Sequence, residues 1–131
     1  MANLSLLLVD DERPLLNLLR KYLERQGYTV DVCETGQAAI EKCRETPCPF
    51  QIVVLDLKLP DMPGEAVMGV LLRESDTVRV LISSGTPFSN EAVPAALRPR
   101  VGSLLKPFVP KQLLEAIAAL APAVKAAGNG G

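Results

Sequence analysis

An α/β domain with a parallel sheet covered on both faces is the fold this sequence predicts. Three observations carry the prediction. Short apolar runs recur five times, each bounded by turn residues, as strands buried on both faces do. Segments with helical apolar spacing separate them, and strands alternating with helices imply a parallel sheet. Nearly every run also ends in a charged or hydroxyl residue, which puts those groups on one edge of the sheet. At 131 residues the chain suits one domain with a proper core.

The first strand is Leu4 to Val9, running straight into Asp10-Asp11-Glu12. Pro14 suits the first turn of a helix, where its missing N–H is no loss. Leu15, Leu16, Leu19, Tyr22 and Leu23 then recur at helical spacing, and Gly27 marks the stop. Tyr28 to Cys33 alternates as a half-covered strand would. Gly36 to about Glu45 is a second helix with Ala39, Ile40 and Cys43 inward, and 46–49 is its connection to the next strand. Gln51 to Asp56 is that strand, broken by a loop dense in proline and glycine, Leu57 to Gly64. In that loop Asp61 reads only as a turn former between Pro60 and Pro63.

After Gly64 a helix runs to about Glu74, with Val67, Met68, Leu71 and Leu72 as its apolar face. Val78 to Ile82 is the fourth strand, ending in Ser83-Ser84-Gly85. Between Thr86 and Arg100 the prolines at 87, 94 and 99 allow only a short, displaced helix. Val101 to Leu105 is the fifth strand, followed by Lys106-Pro107-Phe108. Pro110 opens a last helix to about Ala121 with Leu113, Leu114, Ile117 and Leu120 along one face. The expected organisation is one domain over residues 1–121 and a disordered Ala/Gly-rich tail over 122–131.

Composition excludes several function classes. A net charge of -1 gives no basic surface for nucleic acid. No apolar run approaches the roughly 20 residues that span a bilayer, and the first residues lack the pattern of a secretory signal, so a cytoplasmic location is expected. Cys33, Cys43 and Cys48 follow no zinc-ligand spacing and read as reduced, structural thiols. With no histidine in the chain, most hydrolase triads and zinc sites are absent.

Carboxyl ends of parallel strands share one edge, where ligands bind in open α/β sheets. The groups brought there are Asp10, Asp11, Asp56, Ser84 and Lys106. Three carboxylates within a few ångströms repel one another, and a hard divalent cation such as Mg²⁺ relieves that conflict. A carboxylate is also a nucleophile toward phosphorus. Phosphoryl transfer mainly requires positioning and charge neutralisation, which this set provides.

Four motifs lie in order: Leu7-Leu8-Val9-Asp10-Asp11-Glu12, Val53-Val54-Leu55-Asp56 through Gly64, Ile82-Ser83-Ser84-Gly85, and Leu104-Leu105-Lys106-Pro107-Phe108. On these the chain resembles a response-regulator receiver domain of two-component signalling, over about residues 4 to 121. The resemblance implies strand order 2-1-3-4-5 in a flavodoxin-like α/β/α sandwich. It implies Asp56 as phosphoacceptor, Asp11 as a direct Mg²⁺ ligand, Asp10 as a ligand through water, and the Lys58 backbone carbonyl as a further ligand beside Asp56. Ser84 would be the switching hydroxyl and Lys106 the partner of the phosphoryl group, with a cis bond to Pro107. The donor would be a phosphohistidine on a sensor histidine kinase or histidine phosphotransfer protein. The reader would be an unidentified downstream protein, with no direct nucleic-acid or membrane contact. By this reading the chain is a binding module, a single-domain regulator or the receiver of a hybrid kinase, and its only catalysis is of its own phosphorylation and dephosphorylation.

Two departures bear on function. Relatives carry Tyr or Phe where Ser103 stands, so coupling of a swinging aromatic ring to the switching hydroxyl cannot operate in that form. Pro99-Arg100-Val101-Gly102 replaces a Gly-Ala pair, which puts the usual output face in doubt. Lys58 and Thr86 flank the phosphorylation site, and Lys58, long and cationic, is expected to lie over it and alter water access. The competing functions are an aspartyl-phosphate phosphatase and a degenerate receiver serving as a scaffold. The phosphatase class places Asp two residues after the nucleophile, where this chain has Lys58.

Overall fold

In the computed structural model, which describes residues 4–45 and 47–121, five parallel strands form a sheet. They are β1 (Ser5–Val9), β2 (Thr29–Cys33), β3 (Ile52–Asp56), β4 (Arg79–Ser84) and β5 (Val101–Leu105), in the order β2-β1-β3-β4-β5. The predicted class and strand order are both present. Four α-helices flank the sheet: α1 (Arg13–Arg25), α2 (Gly36–Cys43), α3 (Gly64–Glu74) and α4 (Pro110–Leu120). The tail predicted over 122–131 lies outside the described residues.

Strand period explains how the core divides. Successive side chains of β1 point to opposite faces. Leu6 and Leu8 pack with Leu16, Leu19 and Leu23 of α1 and with Leu113 and Ile117 of α4. Leu7 and Val9 pack instead with Ala39 and Ile40 of α2 and with Val67 and Leu71 of α3. Every residue of β3 is buried, so this strand is anchored from both sides.

The covering is incomplete at β5. No α-helix joins β4 to β5 among the described residues; two 3₁₀ turns do so, Asn90–Ala92 and Ala95–Arg100. Pro94 and Pro99 lack the N–H that a helix interior needs. Two arginines hold the connection, Arg98 by binding carbonyls within it and Arg100 by binding carbonyls before β4. Arg98 donates to the backbone oxygens of Asn90, Val93 and Glu91 at 3.2, 3.0 and 3.2 Å. Arg100 donates to Val78 at 2.9 Å and to Ser75 at 2.6 Å, tying this connection to the loop before β4. Ser103 and Leu105 of β5 remain exposed, with Leu105 53% accessible. The helical cover expected on both faces is present and is thinnest at this edge strand.

Candidate functional site

The parallel register delivers the predicted groups to one edge. Val9 pairs with Leu55 across β1 and β3, so Asp10 and Asp56 follow each other in adjacent strands. Asp56 pairs with Ser83, which puts Ser84 one residue further along β4, and Ser84 pairs with Leu105, just before Lys106. Asp10 and Asp56 are buried, at 6% and 8% exposure, while Asp11 is exposed. One carboxylate oxygen from each of the three lies within 4.8 Å of the others.

Backbone donors fix two of these carboxylates. Asp56 Oδ1 accepts the Lys58 N–H at 3.1 Å, and Asp10 Oδ1 accepts the Glu12 N–H at 3.0 Å. Each is a turn in which the side chain bonds two residues ahead. The other oxygens face Lys106, whose Nζ is 2.8 Å from Asp10 Oδ2 and 3.5 Å from Asp56 Oδ2. Burial by itself lowers the Lys106 pKa, but the bonds to Asp10 and the charge of Asp56 outweigh it and leave that pKa raised. A protonated lysine thus holds the cluster together.

The remaining predicted residues complete the edge. Ser84 is buried, and its Oγ accepts the Thr86 N–H at 3.1 Å and lies 3.4 Å from Thr86 Oγ1. Its carbonyl accepts the Lys106 N–H at 2.7 Å, and the Lys106–Pro107 bond is cis, as expected. Lys58 is exposed, with its backbone beside Asp56. A cavity of about 280 Å³ opens next to Ser84, lined by Thr86, Phe88, Ser103 and Leu105 among others. Small Ser103 leaves this space at the position of the missing aromatic.

Three contributors to the site were not legible as such. Glu12 lies 3.9 Å from Lys106 Nζ and extends the acidic set; its place in the Asp10-Asp11-Glu12 run was the available signal. Asp61 is more than a turn former, and that reading is corrected. Its carboxylate accepts the Gly36 and Gln37 N–H groups at 2.8 and 2.9 Å, while Thr35 Oγ1 accepts from Ala38 at 3.1 Å. The orphan donors of α2 are thus satisfied from the loop after Asp56. These bonds hold the Asp61 pKa below its usual value. Gly64 is required by space. A Cβ there would sit 2.5 Å from the Asp56 carbonyl oxygen and 2.6 Å from Leu57 Cα.

Comparison with known proteins agrees with this geometry. The family model for the response regulator receiver domain matches residues 6–118. The chain belongs to that family. It is 30% identical over 116 residues to the transcriptional regulatory protein ResD of Bacillus subtilis, and equally to SrrA of Staphylococcus aureus. Each match covers 88% of this chain and 47% of the relative, so the chain spans about half the length of those curated relatives. A solved signal receiver domain of a LuxO repressor protein assignment from Vibrio parahaemolyticus superposes with a TM-score of 0.78 at 29% identity, covering 99% of both chains. A CheY-like response regulator receiver domain protein from Methanospirillum hungatei gives 0.77 at 25% identity, covering 89% of this chain and 92% of its own. This receiver domain is thus a signalling domain of the two-component type, the kind that carries the phosphoacceptor. Among its described residues, no helix is long and apolar enough to cross a membrane.

Proposed function

We infer that this receiver takes a phosphoryl group onto Asp56 from a phosphohistidine of a sensor histidine kinase or histidine phosphotransfer protein. The phosphorylated form then changes its affinity for a downstream protein. The observation that carries the reading is the buried Asp56 carboxylate, fixed by the Lys58 N–H, beside two further carboxylates and the Lys106 ammonium. In the transfer an Asp56 oxygen attacks phosphorus. The phosphorus–nitrogen bond breaks, and its electron pair returns to the donor imidazole.

The donor set fits Mg²⁺, a hard cation that takes carboxylate and carbonyl oxygens. Asp10, Asp11 and Asp56, with the Lys58 carbonyl, would hold it, and when bound it neutralises phosphoryl oxygen charge. The chain's own residues do the rest. Lys106 sits between Asp10 and Asp56, so an added phosphoryl group on Asp56 gives its ammonium a new partner. Ser84 Oγ is bound only through Thr86, and its hydroxyl proton is free to turn toward that group. Lys58, exposed beside the acceptor, limits the approach of water to the acyl phosphate. Domain bounds of 1–121 suit this reading, as does either a single-domain regulator or a receiver within a longer chain.

Intact mass after incubation with Mg²⁺ and acetyl phosphate tests the assignment. One phosphoryl adduct is expected on the wild type and none on Asp56→Asn. An adduct retained by Asp56→Asn would move the acceptor elsewhere, and no adduct on either protein would leave a scaffold.

A further inference from the structure

Ser83 carries a buried hydroxyl beside the acceptor that the phosphoryl chemistry leaves unused. The residue is 3% exposed, and among the described residues its Oγ has no hydrogen-bond partner. Burying a hydroxyl unpaired destabilises a fold, so such a group calls for a physical reason. Strand period places it. Leu81 packs in the core under α1 and α4, while Val80 and Ile82 pack under α2 and α3, so Ser83 turns to the α1/α4 face. Asp56, two residues after Val54, turns to the same face, and Asp56 and Ser83 are register partners in adjacent strands. The ladder continues one residue beyond β1 and β5, through the Asp10 N–H to Cys33 and the Lys106 N–H to Ser84. Alternation from Leu8 and Leu104 therefore brings Asp10 and Lys106 to that face as well.

The route of the lysine passes this hydroxyl. In the sheet β4 lies between β5 and β3, so a side chain from the end of β5 reaches Asp56 only by crossing the end of β4. Lys106 makes that crossing. Its Nζ is 3.5 Å from Asp56 Oδ2 and 2.8 Å from Asp10 Oδ2, which belongs to the next strand again. Ser83, paired with Asp56 on one side and Leu104 on the other, is the side chain that β4 presents on the crossed face. At rest the shorter contact, to Asp10, draws the ammonium past it.

We propose that Ser83 is a positioning residue for Lys106, its hydroxyl oxygen accepting a hydrogen bond from the ammonium once Asp56 carries a phosphoryl group. The inference rests on Asp56 being the acceptor. A phosphoryl group there competes with Asp10 for the ammonium, which then withdraws toward β3 and β4, where the Ser83 oxygen is vacant. An ammonium has three N–H donors, so it bonds a phosphoryl oxygen and Ser83 together. The unpaired hydroxyl therefore disfavours the resting form and favours the phosphorylated one. A packing role behaves differently. Were Ser83 only a small residue that lets the lysine stem pass, alanine would serve equally well.

The test uses beryllofluoride with Mg²⁺, a stable mimic of a phosphoryl group on a carboxylate, titrated calorimetrically into the full chain. Wild type, Ser83→Ala, Ser83→Thr and Asp56→Asn are compared, and each is also melted without ligand in EDTA. Ser83→Ala is expected to melt no lower than the wild type, since it removes an unpaired buried group. It is nevertheless expected to bind beryllofluoride roughly tenfold more weakly, the loss of one hydrogen bond to a charged group. Ser83→Thr keeps the hydroxyl and is expected to bind close to the wild type. Equal affinity of Ser83→Ala and wild type would overturn this proposal alone. A lower melting temperature of unliganded Ser83→Ala would do the same, because the hydroxyl would then be paired at rest. So would a Ser83→Thr that folds normally yet binds as weakly as Ser83→Ala; should it not fold, Ser83→Ala decides the matter. Binding by Asp56→Asn, or none by the wild type, would instead overturn the Asp56 assignment and this proposal with it.

Discussion

Replacing Lys106 with methionine removes the one cation between two buried carboxylates. At an effective dielectric of about 20, the 2.8 Å contact with Asp10 is a gross attraction of about 6 kcal/mol and the 3.5 Å contact with Asp56 about 5 kcal/mol. Most of this is offset by desolvation. Removing one partner of a fully buried pair costs about 3–5 kcal/mol, because the other charge is left unpaired. Lys106 keeps 20% of its side-chain surface in solvent, so screening reduces the expected loss to about 2 kcal/mol. For a domain of this size that is a fall of roughly 6–12 °C in melting temperature. The assay is thermal unfolding followed by circular dichroism, with EDTA or with Mg²⁺. In EDTA the variant is expected to melt lower. Mg²⁺ should raise it more than the wild type, since no ammonium competes for the same oxygens. A tenfold excess over the dissociation constant returns about 1.4 kcal/mol. Because the Lys106 pKa is raised in the fold, its stabilisation is complete below its ordinary value of 10.5 and is lost as pH rises through the folded value. The variant should lack this alkaline loss. Equal melting in EDTA, or equal Mg²⁺ shifts, would refute the reasoning.

Gly64→Ala forces a Cβ against the Asp56 carbonyl and Leu57, so a loss of about 1–3 kcal/mol in urea unfolding and slower labelling by acetyl phosphate are expected. Asp61→Ala uncaps α2 and should lower the melting temperature at neutral pH. The Asp61 pKa is depressed, so its stabilisation is present above the ordinary value of 3.8 and is lost as pH falls through the folded value; the two proteins should therefore converge in acid. Arg100→Ala frees the Ser75 and Val78 carbonyls, and should cost about 1–3 kcal/mol while speeding amide exchange around residues 94–100. Lys58→Ala should shorten the lifetime of the phosphorylated form, read as phosphate release after the donor is removed; equal lifetimes would show that Lys58 does not screen the site.

The central strands β1, β3 and β4 were legible because they are buried on both faces and therefore apolar almost without a break, and each ends where the polar edge begins. Asp10, Asp56, Ser84 and Lys106 were readable for the same reason, as polarity placed where the buried strand stops. Position along the chain, however, does not reveal a partner far away in sequence. Asp61 looked like a local turn residue, since the N–H groups it binds belong to Gly36 and Gln37, 25 and 24 residues earlier. Nothing in the sequence marks Arg98 and Arg100 as staples, for a related reason. Their guanidinium groups serve backbone carbonyls, which carry no sequence signature. The prolines at 87, 94 and 99 did announce that any helix there would be short and displaced, but not that two 3₁₀ turns would stand in its place.

These gaps share a cause that bears on function. Along β3 every residue through Leu55 satisfies local pattern and packing together, and Asp56 breaks that agreement with a buried charge. Asp10 does the same after β1, and Ser83 Oγ, buried beside them in β4, has no hydrogen-bond partner. Such violations cluster where a fold sacrifices stability for chemistry. Here the buried charge is balanced by one lysine reaching along the same edge from the end of β5. A group that binds Asp56 and recruits that lysine also withdraws it from Asp10, 2.8 Å away. Lys106 therefore joins Asp56 to Asp10 through its ammonium and meets the Ser84 carbonyl through its backbone N–H. From Ser84 the next contact is Thr86, at the edge of the cavity that Ser103 leaves open. Beyond it Ser103 and Leu105 of β5 are exposed, next to the connection that Arg98 and Arg100 hold.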